Sequence, residues 1–547
     1  MRPAAIRLRS RVRDPLLLGA LWLFHVSLNA VWLHLDNYPP AWDSAHHLTM
    51  TLRWLAFWQA PSLAGIRAVA AASAYAPLPY WLVLPFYLLF GSSADVAVLA
   101  NGAIWLAVLL MATYGLGREV ASPQAGLLAA ALVSLYPLIS ALQHDFFLDI
   151  GLAAMVALSL WLLLRCGSFD RRGRAVILGI ALGLGTLVKW PFPFFIGAPF
   201  LAALYGVARR KGWSRQRLIN LGLCLAAAAA LGVARFLFNV LFLPGDLYNL
   251  TVVGQLVASF STTAGHPPWY TLAGATYYAT TLVNHQASLF FAILFLAAMP
   301  GCVRHAERGC LLLALNIVVP FVLATLLPIK EQRITVPYLP SVAVITAVGL
   351  NSIRHQVIRA GVIALTVGVG LVQFFAANFG ISALPQEVYV RTSWIELAVF
   401  QQHPVQSPRD FQVQPGNWHH ASLIGAIRAD AQARGFAPPL EVPLAANTAA
   451  CNPNTLNYYS LLQDSGIEFL YVWRWYEEPL DLKFSSYSYL VIKGGDTSEM
   501  EGWDREGIEA AVQFVSEQSR LLSLIYTAPL PDGSEMRVYR QDAYGDG

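Results

Sequence analysis

The sequence predicts a polytopic, all-α membrane protein of about eleven transmembrane helices with a C-terminal extracytoplasmic α/β domain. Of its 547 residues, 56% are hydrophobic and only 12% are charged, whereas soluble globular chains carry about 25% charge. Eleven segments are apolar over close to the roughly 20 residues that a bilayer-spanning helix needs. The charge balance also changes sign near residue 380, which indicates two domains.

The apolar segments alternate along the chain with short polar loops. They cover residues 15–35, 94–116, 123–141, 148–165, 174–189, 191–208, 218–243, 286–303, 309–327, 334–351 and 357–377. A further segment, "PLPYWLVLPFYLLFG" at 77–91, is short and contains three prolines. If it does not cross, loops on the N-terminal side hold 19 Lys and Arg residues against 5 on the other side. Cytoplasmic loops carry the excess of Lys and Arg, so we expect a cytoplasmic N-terminus and an interfacial or re-entrant 77–91.

The two predicted domains are 1–379 and 380–547. The first holds 25 basic and 11 acidic residues, and the second holds 11 basic and 21 acidic residues. In the second, "SLIGAIRADAQARG" is typical of a helix, "IEFLYVWRWY" of a strand, and "LLSLIYTAPLPDGSEMRVYRQ" of a hairpin that turns at Asp532-Gly533. Eleven crossings place this domain outside the cytoplasm of an integral inner or plasma membrane protein, which is the periplasmic side in a bacterium.

Two long loops lie on the predicted outer side, at 36–93 and at about 244–285. The first contains "SAHHLTMTLRWLAFW", whose apolar residues share one helical face, as in a helix that lies in the headgroup region. Asp43 begins this helix. It suits an N-cap, although His46 stands where a capping box has Glu or Gln. A carboxylate at this surface also suits a general base.

Charged residues also cluster in "LLPIKEQRITVPYLP", between two apolar segments. Lys330, Glu331 and Arg333 fall together there. Lys and Arg at a lipid surface suit a phosphate, which Arg can grip with two hydrogen bonds. The alternative is that these cations reach from the bilayer to the headgroups without binding a substrate.

Further charged residues lie inside or at the start of apolar segments, where charge is costly without a partner or a function. "LQHDFFLDIGL" places His144, Asp145 and Asp149 at the start of one span, and Asp145 and Asp149 share a face if the helix is continuous. Arg235 lies within another span. Two carboxylates and one histidine are a weak signal for a metal site.

The order of these motifs resembles the C-type membrane glycosyltransferases, and more narrowly the protein mannosyltransferase and lipid A aminoarabinose transferase group. The matching stretches are "YPPAWDSAHHL", "APLPYWLVLPFYLLFG", "HDFFLDIGL", "GLGTLVKWPFP" and "KEQRITVPYLP", and they cover roughly residues 15–350. Two positions depart from the group's pattern. Asp43-Ser44 replaces Asp-Glu, and Ile334 replaces the usual Tyr.

The resemblance implies an inverting glycosyltransferase that moves a hexosyl or pentosyl group from a polyprenyl-phosphate-linked donor to an extracytoplasmic glycan, lipid or protein. Asp43 matches the catalytic aspartate, which would deprotonate the acceptor hydroxyl. No cofactor is required by this chemistry, although a divalent metal at Asp43 and Asp149 stays open. The partners would be the donor, the acceptor and the bilayer, with no nucleic acid. The expected substrate-binding residues are Lys330, Arg333, Glu331, Lys189, Arg235, Asp145, Asp149, His46 and His144.

Two other classes remain open on the sequence. A transporter or flippase of a lipid-linked or anionic substrate would also place acids and bases in the membrane. Against it, no repeated halves are evident, and the ionisable residues gather at one face instead of the midplane. An envelope assembly protein with decayed sites is the third alternative, because the second carboxylate after Asp43 is missing.

Overall fold

A computed structural model describes residues 4–72, 75–242, 266–305, 307–392, 395–403, 413–472, 486–497 and 503–542. The chain forms two compact units. The helical unit comprises Met1–Trp32, Pro61–Pro85 and Val98–Gln406. The mixed unit comprises Leu33–Ala60, Phe86–Ala97 and Ser407–Gly547. The predicted boundary near 380 coincides with the end of the last long helix, but the hairpin that follows belongs to the helical unit, and residues 33–60 belong to the mixed unit.

All eleven predicted apolar segments form helices, so the predicted all-α architecture is confirmed. The helices up to residue 242 are α1 (Ala4–Leu35), α2 (Trp42–Gln59), α3 (Leu63–Ala72), α4 (Leu78–Phe90), α5 (Ala94–Val120), α6 (Pro123–Leu135), α7 (Pro137–Ala141), α8 (Asp149–Cys166), α9 (Arg172–Thr186), α10 (Phe192–Arg210) and α11 (Arg215–Phe242). After residue 266 come α12 (Leu272–Thr281), a π-helical turn (Leu282–Gln286), α13 (Leu289–His305), α14 (Glu307–Leu326), a 3₁₀ turn (Val336–Tyr338), α15 (Leu339–Asn351) and α16 (Gln356–Phe379).

Fewer helices than eleven are long enough to cross a bilayer alone. Among the described residues, seven helices are long and apolar enough to cross a membrane. The number is eight if Leu272–Gln286 and Leu289–Arg304, which are bent by 118° relative to each other, form one span. The remaining predicted segments give shorter helices, α6, α9 and α15. Proline explains two of these breaks, because it disfavours helical backbone at the preceding residue. Pro137 follows α6, and Pro191 separates α9 from α10.

The ambiguous segment 77–91 forms α4, a helix of 13 residues. At 1.5 Å per residue it is about 20 Å long, which is shorter than the roughly 30 Å hydrocarbon core. Its length therefore agrees with a segment that does not cross. The second long loop, about 244–285, is described only from residue 266, and there it contains α12.

The proposed orientation can be checked with single cysteines. We expect Ser93→Cys to react with an impermeant thiol reagent in intact cells and Ser122→Cys to react only after permeabilisation, in a cysteine-free background. The reason is the excess of Lys and Arg on the N-terminal side when 77–91 does not cross. Labelling at 122 but not at 93 contradicts this topology.

Small residues permit close helix packing in the helical unit, as is common between membrane helices. A Cβ at Gly179 of α9 would lie 2.2 Å from the carbonyl oxygen of Cys224 in α11. Only glycine fits such an approach, so α9 and α11 are fixed against each other. The helical unit ends in a hairpin of β1 (Glu387–Arg391) and β2 (Glu396–Gln401).

The mixed unit contains a five-stranded sheet in the order β4-β3-β5-β7-β6. Its strands are β3 (Leu440–Ala445), β4 (Ile467–Tyr471), β5 (Tyr489–Lys493), β6 (Leu522–Pro529) and β7 (Glu535–Gln541), and its helices are α17 (His420–Arg434), α18 (Pro453–Leu462) and α19 (Trp503–Glu517), with a 3₁₀ turn at Ser519–Leu521. Strand β3 is parallel to β4 and β5, whereas β7 is antiparallel to β5 and β6. The predicted α/β domain and its hairpin at Asp532-Gly533 are confirmed.

A histidine lies in the core of the mixed unit. His420 begins α17, and its Nε2 lies 3.7 Å from Sγ of Cys451, which is also buried. Burial lowers the pKa of His420 to about 3, and the neighbouring His419 adds to this effect, while a backbone hydrogen bond to Ala450 opposes it. The folded state therefore holds His420 neutral.

Acid should destabilise the mixed unit through this histidine. His420 binds a proton near pH 6.5 in the unfolded chain and only near pH 3 in the folded chain. The contribution of neutral His420 to the free energy of unfolding is therefore fully present above pH 6.5 and decreases as the pH falls below 6.5. We expect a loss of up to about 1.4 kcal/mol per pH unit. Urea unfolding of the full chain at pH 7.5 and pH 5 measures it. His420→Gln should flatten the pH dependence, whereas His419→Gln should retain it; an unchanged dependence in His420→Gln contradicts the assignment.

Candidate active site

The helical unit gathers four of the predicted site residues, Asp149, Lys189, Arg333 and Glu331, into one charged cluster. Asp149 begins α8 and is buried. Its Oδ1 accepts a hydrogen bond from Nζ of Lys189 at 2.8 Å, and Nη1 of Arg333 lies 4.0 Å from its Oδ2. Lys189 follows α9 in the break before Pro191. Two cations from separate loops thus meet one carboxylate, which compensates a charge that would otherwise be costly to bury.

Arg333 is held from two further sides. Its guanidinium lies 4.4 Å from the ring centroid of Phe147, and its Nη2 donates to Oε2 of Glu331 at 3.0 Å. The Arg333 side chain is 23% exposed, whereas that of Asp149 is 4% exposed. Arg333 is therefore both oriented and accessible, which is what a site for an anionic group requires.

Lys330 occupies a different environment from the one that the sequence predicts. It is buried, and its Nζ donates to the carbonyl oxygens of Ala324 at 3.3 Å, Leu327 at 2.5 Å and Thr325. These carbonyls lie at the end of α14, where backbone acceptors have no partner within the helix. An ammonium has three protons, so this set uses all of them. The predicted phosphate contact of Lys330 stays a prediction that requires its ammonium to leave these carbonyls.

The predicted helical pairing of Asp145 with Asp149 is wrong. Residues 142–146 form turns, and α8 begins only at Asp149, so the two carboxylates do not lie one turn apart on a continuous helix. Asp145 is buried in this turn. His144 stacks on Trp32, with ring centroids 3.8 Å apart and an angle of 6° between the planes. Arg235 lies in α11, but its side chain falls outside the described part of the chain.

Asp43 belongs to the mixed unit, in the first turn of α2. The N-cap of this helix is Ala41, so the N-cap interpretation of Asp43 is wrong. A carboxylate in the first turn is stabilised by the helix dipole. Asp43 is half-buried, and His46 lies one turn later. Burial lowers the pKa of His46, Asp43 opposes this effect and Arg53 adds to it. The net effect favours the neutral form of His46.

The start of α2 is held by the loop between β3 and α18. Nε1 of Trp42 donates to Oδ1 of Asn447 at 2.8 Å, and Oγ1 of Thr455 donates to the carbonyl of Pro40 at 2.8 Å. Backbone on both sides of Ala41 is thus fixed, directly before Asp43. Asn447 and Thr455 were not predicted from their residue types, although "NTAACNPNT" after a buried strand is a polar run typical of a ligand-holding or docking loop.

Asp36 also connects residues 33–60 to the rest of the mixed unit. It is buried, and its Oδ1 accepts the backbone N–H of Gln414 at 2.7 Å. The N–H of the next residue, Asn37, donates to the carbonyl of Gln414 at 2.8 Å. This carboxylate is occupied by backbone, which distinguishes it from Asp43.

Among the described residues, no group of three His, Cys, Asp or Glu side chains comes together. Asp149, one of the two candidate ligands, accepts a hydrogen bond from Lys189, and a cation bound there would face that ammonium.

Comparisons with known proteins agree with this architecture. Residues 74–235 match the family model of dolichyl-phosphate-mannose-protein mannosyltransferases. No curated protein sequence matches the chain. Among solved structures, ArnT from Cupriavidus metallidurans bound to undecaprenyl phosphate is similar over 96% of this chain and 97% of that chain, at 13% identity and a TM-score of 0.56.

Two larger proteins are also similar. The oligosaccharyltransferase of Archaeoglobus fulgidus, in the apo form, aligns over 87% of this chain and 69% of its own, at 13% identity and a TM-score of 0.51. Arabinofuranosyltransferase AftD from Mycobacteria aligns over 95% of this chain and 40% of its own, at 12% identity and a TM-score of 0.52. The resemblance to the C-type membrane glycosyltransferases is therefore confirmed, and the chain is a multi-pass membrane protein with their fold.

Proposed function

We propose that this protein is an inverting glycosyltransferase that moves a sugar from a polyprenyl-phosphate donor to an acceptor outside the cytoplasm. The observation that carries the proposal is Arg333, a half-buried guanidinium that is oriented by Phe147, Glu331 and Asp149. An aligned structure, ArnT from Cupriavidus metallidurans, holds undecaprenyl phosphate, which supports a lipid phosphate as the anion. The sugar and the acceptor are left open by this proposal.

The proposed reaction exchanges one bond at the anomeric carbon for another. The acceptor oxygen attacks that carbon and the bond to the phosphate oxygen breaks, so polyprenyl phosphate leaves with the electron pair. Asp43 takes the proton of the acceptor hydroxyl. Arg333 stabilises the charge that develops on the leaving phosphate, which is worth most in a site that excludes water. Inversion follows because the acceptor attacks opposite to the departing phosphate.

Lys189 and Asp149 support this chemistry without touching the substrate in the proposal. Nζ of Lys189 lies 2.8 Å from Oδ1 of Asp149, whereas Nη1 of Arg333 lies 4.0 Å from Oδ2, so Asp149 engages Lys189 more closely than Arg333. Glu331 contacts Nη2 of Arg333, and a guanidinium has five N–H donors in a planar fork, so it can hold Glu331 and a phosphate together.

Arg333→Ala should weaken the binding of undecaprenyl phosphate, the proposed product lipid, by about 10- to 150-fold. This range corresponds to the roughly 1.5–3 kcal/mol of a hydrogen bond to a charged group. Arg333→Lys should recover part of the affinity, because the charge remains but the fork is lost. Equilibrium binding of radiolabelled lipid to the purified protein in detergent measures this affinity.

Arg391→Ala is the matched control. Arg391 also pairs with a carboxylate, Glu396 at 2.8 Å, and also lies over a ring, Tyr389 at 5.2 Å, but its side chain is 66% exposed on the hairpin. We expect parental affinity in this variant. If Arg333→Ala also binds undecaprenyl phosphate with parental affinity, Arg333 does not contact the lipid phosphate. It would then only reach toward the headgroup region and would not belong to the proposed site. Lipid binding without any sugar transfer would favour the transporter alternative.

A further inference from the structure

A groove separate from the charged cluster lies between α1, α5 and α8, with a volume of about 540 Å³. Its lining follows one face of each helix. On α1 it includes Leu18 and Trp22, and on α5 it includes Ala107, Leu110 and Met111, which are spaced as neighbours on one helical face. The volume lies in the range of about 300–1,000 Å³ that is typical of ligand sites.

We propose that this groove binds one anionic glycerophospholipid, with its phosphate at Arg118 and Arg165 and an acyl chain along the apolar wall. Both arginines lie at one end of the groove, and both line it. This end comprises the last turns of α5 and α8 and the first turn of the apolar span Val12–Leu35 of α1. The groove is charged at the helix ends and apolar toward the middle of the helices. This arrangement suits an amphiphile better than a water-soluble anion.

A glycine of α1 lines the groove, with open space in front of it. It is Gly19, and a Cβ at Gly19 would have no atom within 4 Å. Across the groove, Gly115 of α5 lets Trp161 of α8 lie against the helix, since a Cβ at Gly115 would be 2.3 Å from the indole ring. The wall is therefore built by close packing, while the space in front of Gly19 stays open.

At the charged end of the groove, which we call the rim, the acidic side chains are paired, so an anion meets little repulsion there. The guanidinium of Arg165 lies 5.5 Å from the ring centroid of Trp161, and its Nε is 3.5 Å from Oε1 of Glu119. Asp14 accepts hydrogen bonds from Arg13 and from the hydroxyl of Tyr114, at 3.0 and 2.9 Å. These pairs balance Glu119, which lines the groove, and Asp14, which bonds to the lining residue Tyr114, and Arg118 adds a further positive charge.

The depth of the groove matches one leaflet. From Arg118 to Ala107 there are eleven helical steps, which is about 16 Å at 1.5 Å per residue. That is about half of the roughly 30 Å hydrocarbon core. An acyl chain of a glycerophospholipid spans one leaflet. Basic pockets between membrane helices recognise anionic headgroups in this way.

Native mass spectrometry of the full-length protein tests the proposal, with phosphatidylglycerol, phosphatidylcholine and undecaprenyl phosphate as separate probes. We expect one retained phosphatidylglycerol and an affinity at least about tenfold above that for phosphatidylcholine. Arg118→Gln combined with Arg165→Gln should lower the affinity for phosphatidylglycerol about thirtyfold, at about 1 kcal/mol for each arginine. Gly19→Leu should fill the groove and abolish retention.

The matched control is Gly222→Leu on α11. Gly222 is exposed, and, as at Gly19, a Cβ there has no atom within 4 Å. This variant should retain lipid like the parent. Parental retention in Gly19→Leu, equal affinity for phosphatidylglycerol and phosphatidylcholine, or preferential retention of undecaprenyl phosphate overturns the proposal. If Gly19→Leu does not fold, the variant that combines Arg118→Gln with Arg165→Gln still tests the proposal.

Discussion

Asp43→Asn is expected to slow sugar transfer at least about a hundredfold while leaving insertion, folding and donor binding close to those of the parent. General-base catalysis contributes about 10²–10⁴ in rate, and an amide cannot take the acceptor proton. The substitution removes no cap, because Ala41 is the N-cap of α2. The start of the helix also stays fixed by the hydrogen bond between Trp42 and Asn447. The lost charge in the first turn is worth about 0.3–1 kcal/mol of stability.

Single-turnover transfer at saturating donor measures this effect, with Asp36→Asn as the control. The carboxylate of Asp36 accepts a backbone N–H from Gln414, and the amide oxygen of Asn can accept the same bond. Asp36→Asn should therefore keep near-parental turnover, and Asp149→Asn should fall between the two variants. Near-parental turnover in Asp43→Asn removes the proposed base, while parental lipid binding in that variant leaves the role of Arg333 intact.

Lys189→Met is expected to destabilise the helical unit by about 3 kcal/mol. Breaking a buried ion pair costs about 3–5 kcal/mol because a buried charge remains, and the low end applies since Lys189 is 21% exposed. In this variant the remaining cation near Asp149 would be Arg333. Its Nη1 lies 4.0 Å from Oδ2 of Asp149, which is too long for a hydrogen bond. Unfolding in detergent, followed as a shift in the transition midpoint, measures the change.

A second substitution tests whether the remaining charge is the cause. Asp149→Asn combined with Lys189→Met should recover most of the loss, because the uncompensated carboxylate is gone. Lys211→Met is the control, since its pair with Asp170 spans 3.6 Å with both side chains about half exposed. Exposed pairs contribute about 0–1 kcal/mol. Equal destabilisation by Lys189→Met and Lys211→Met would show that the pair at Asp149 is not effectively buried.

The helices could be predicted because apolar length is a local property of the sequence. Each apolar segment became a helix, and the interruptions at Pro137 and Pro191 followed from residues that any reader of the chain can see. The α/β character of the C-terminal part was equally local, since helix and strand patterns alternate there. Whether α6, α9 and α15 cross the bilayer depends on their neighbours, and single-segment reasoning cannot supply that.

The site was harder to predict because its contacts are tertiary. The sequence grouped Lys330 with Arg333 since they are three residues apart, yet Lys330 donates to carbonyls at the end of α14 while Arg333 approaches Asp149. Asp145 and Asp149 were paired on the assumption of a continuous helix, which the turns at 142–146 break. The pairing of Lys189 with Asp149 joins residues 40 positions apart, and spacing alone does not reveal it.

The hydrogen bond between Trp42 and Asn447 has a consequence for the synthesis of the protein. The two residues are 405 positions apart, so α2 leaves the ribosome long before the loop that holds it. Until that loop and the first turn of α18 have been translated and have folded, the Trp42 indole lacks its acceptor Asn447 and the Pro40 carbonyl lacks its donor Thr455. A nascent chain can therefore contain all of its apolar helices while Asp43, the proposed base, is not yet held in place. In the proposed mechanism, transfer would begin only after the chain through Thr455 has been translated and has folded against residues 33–60.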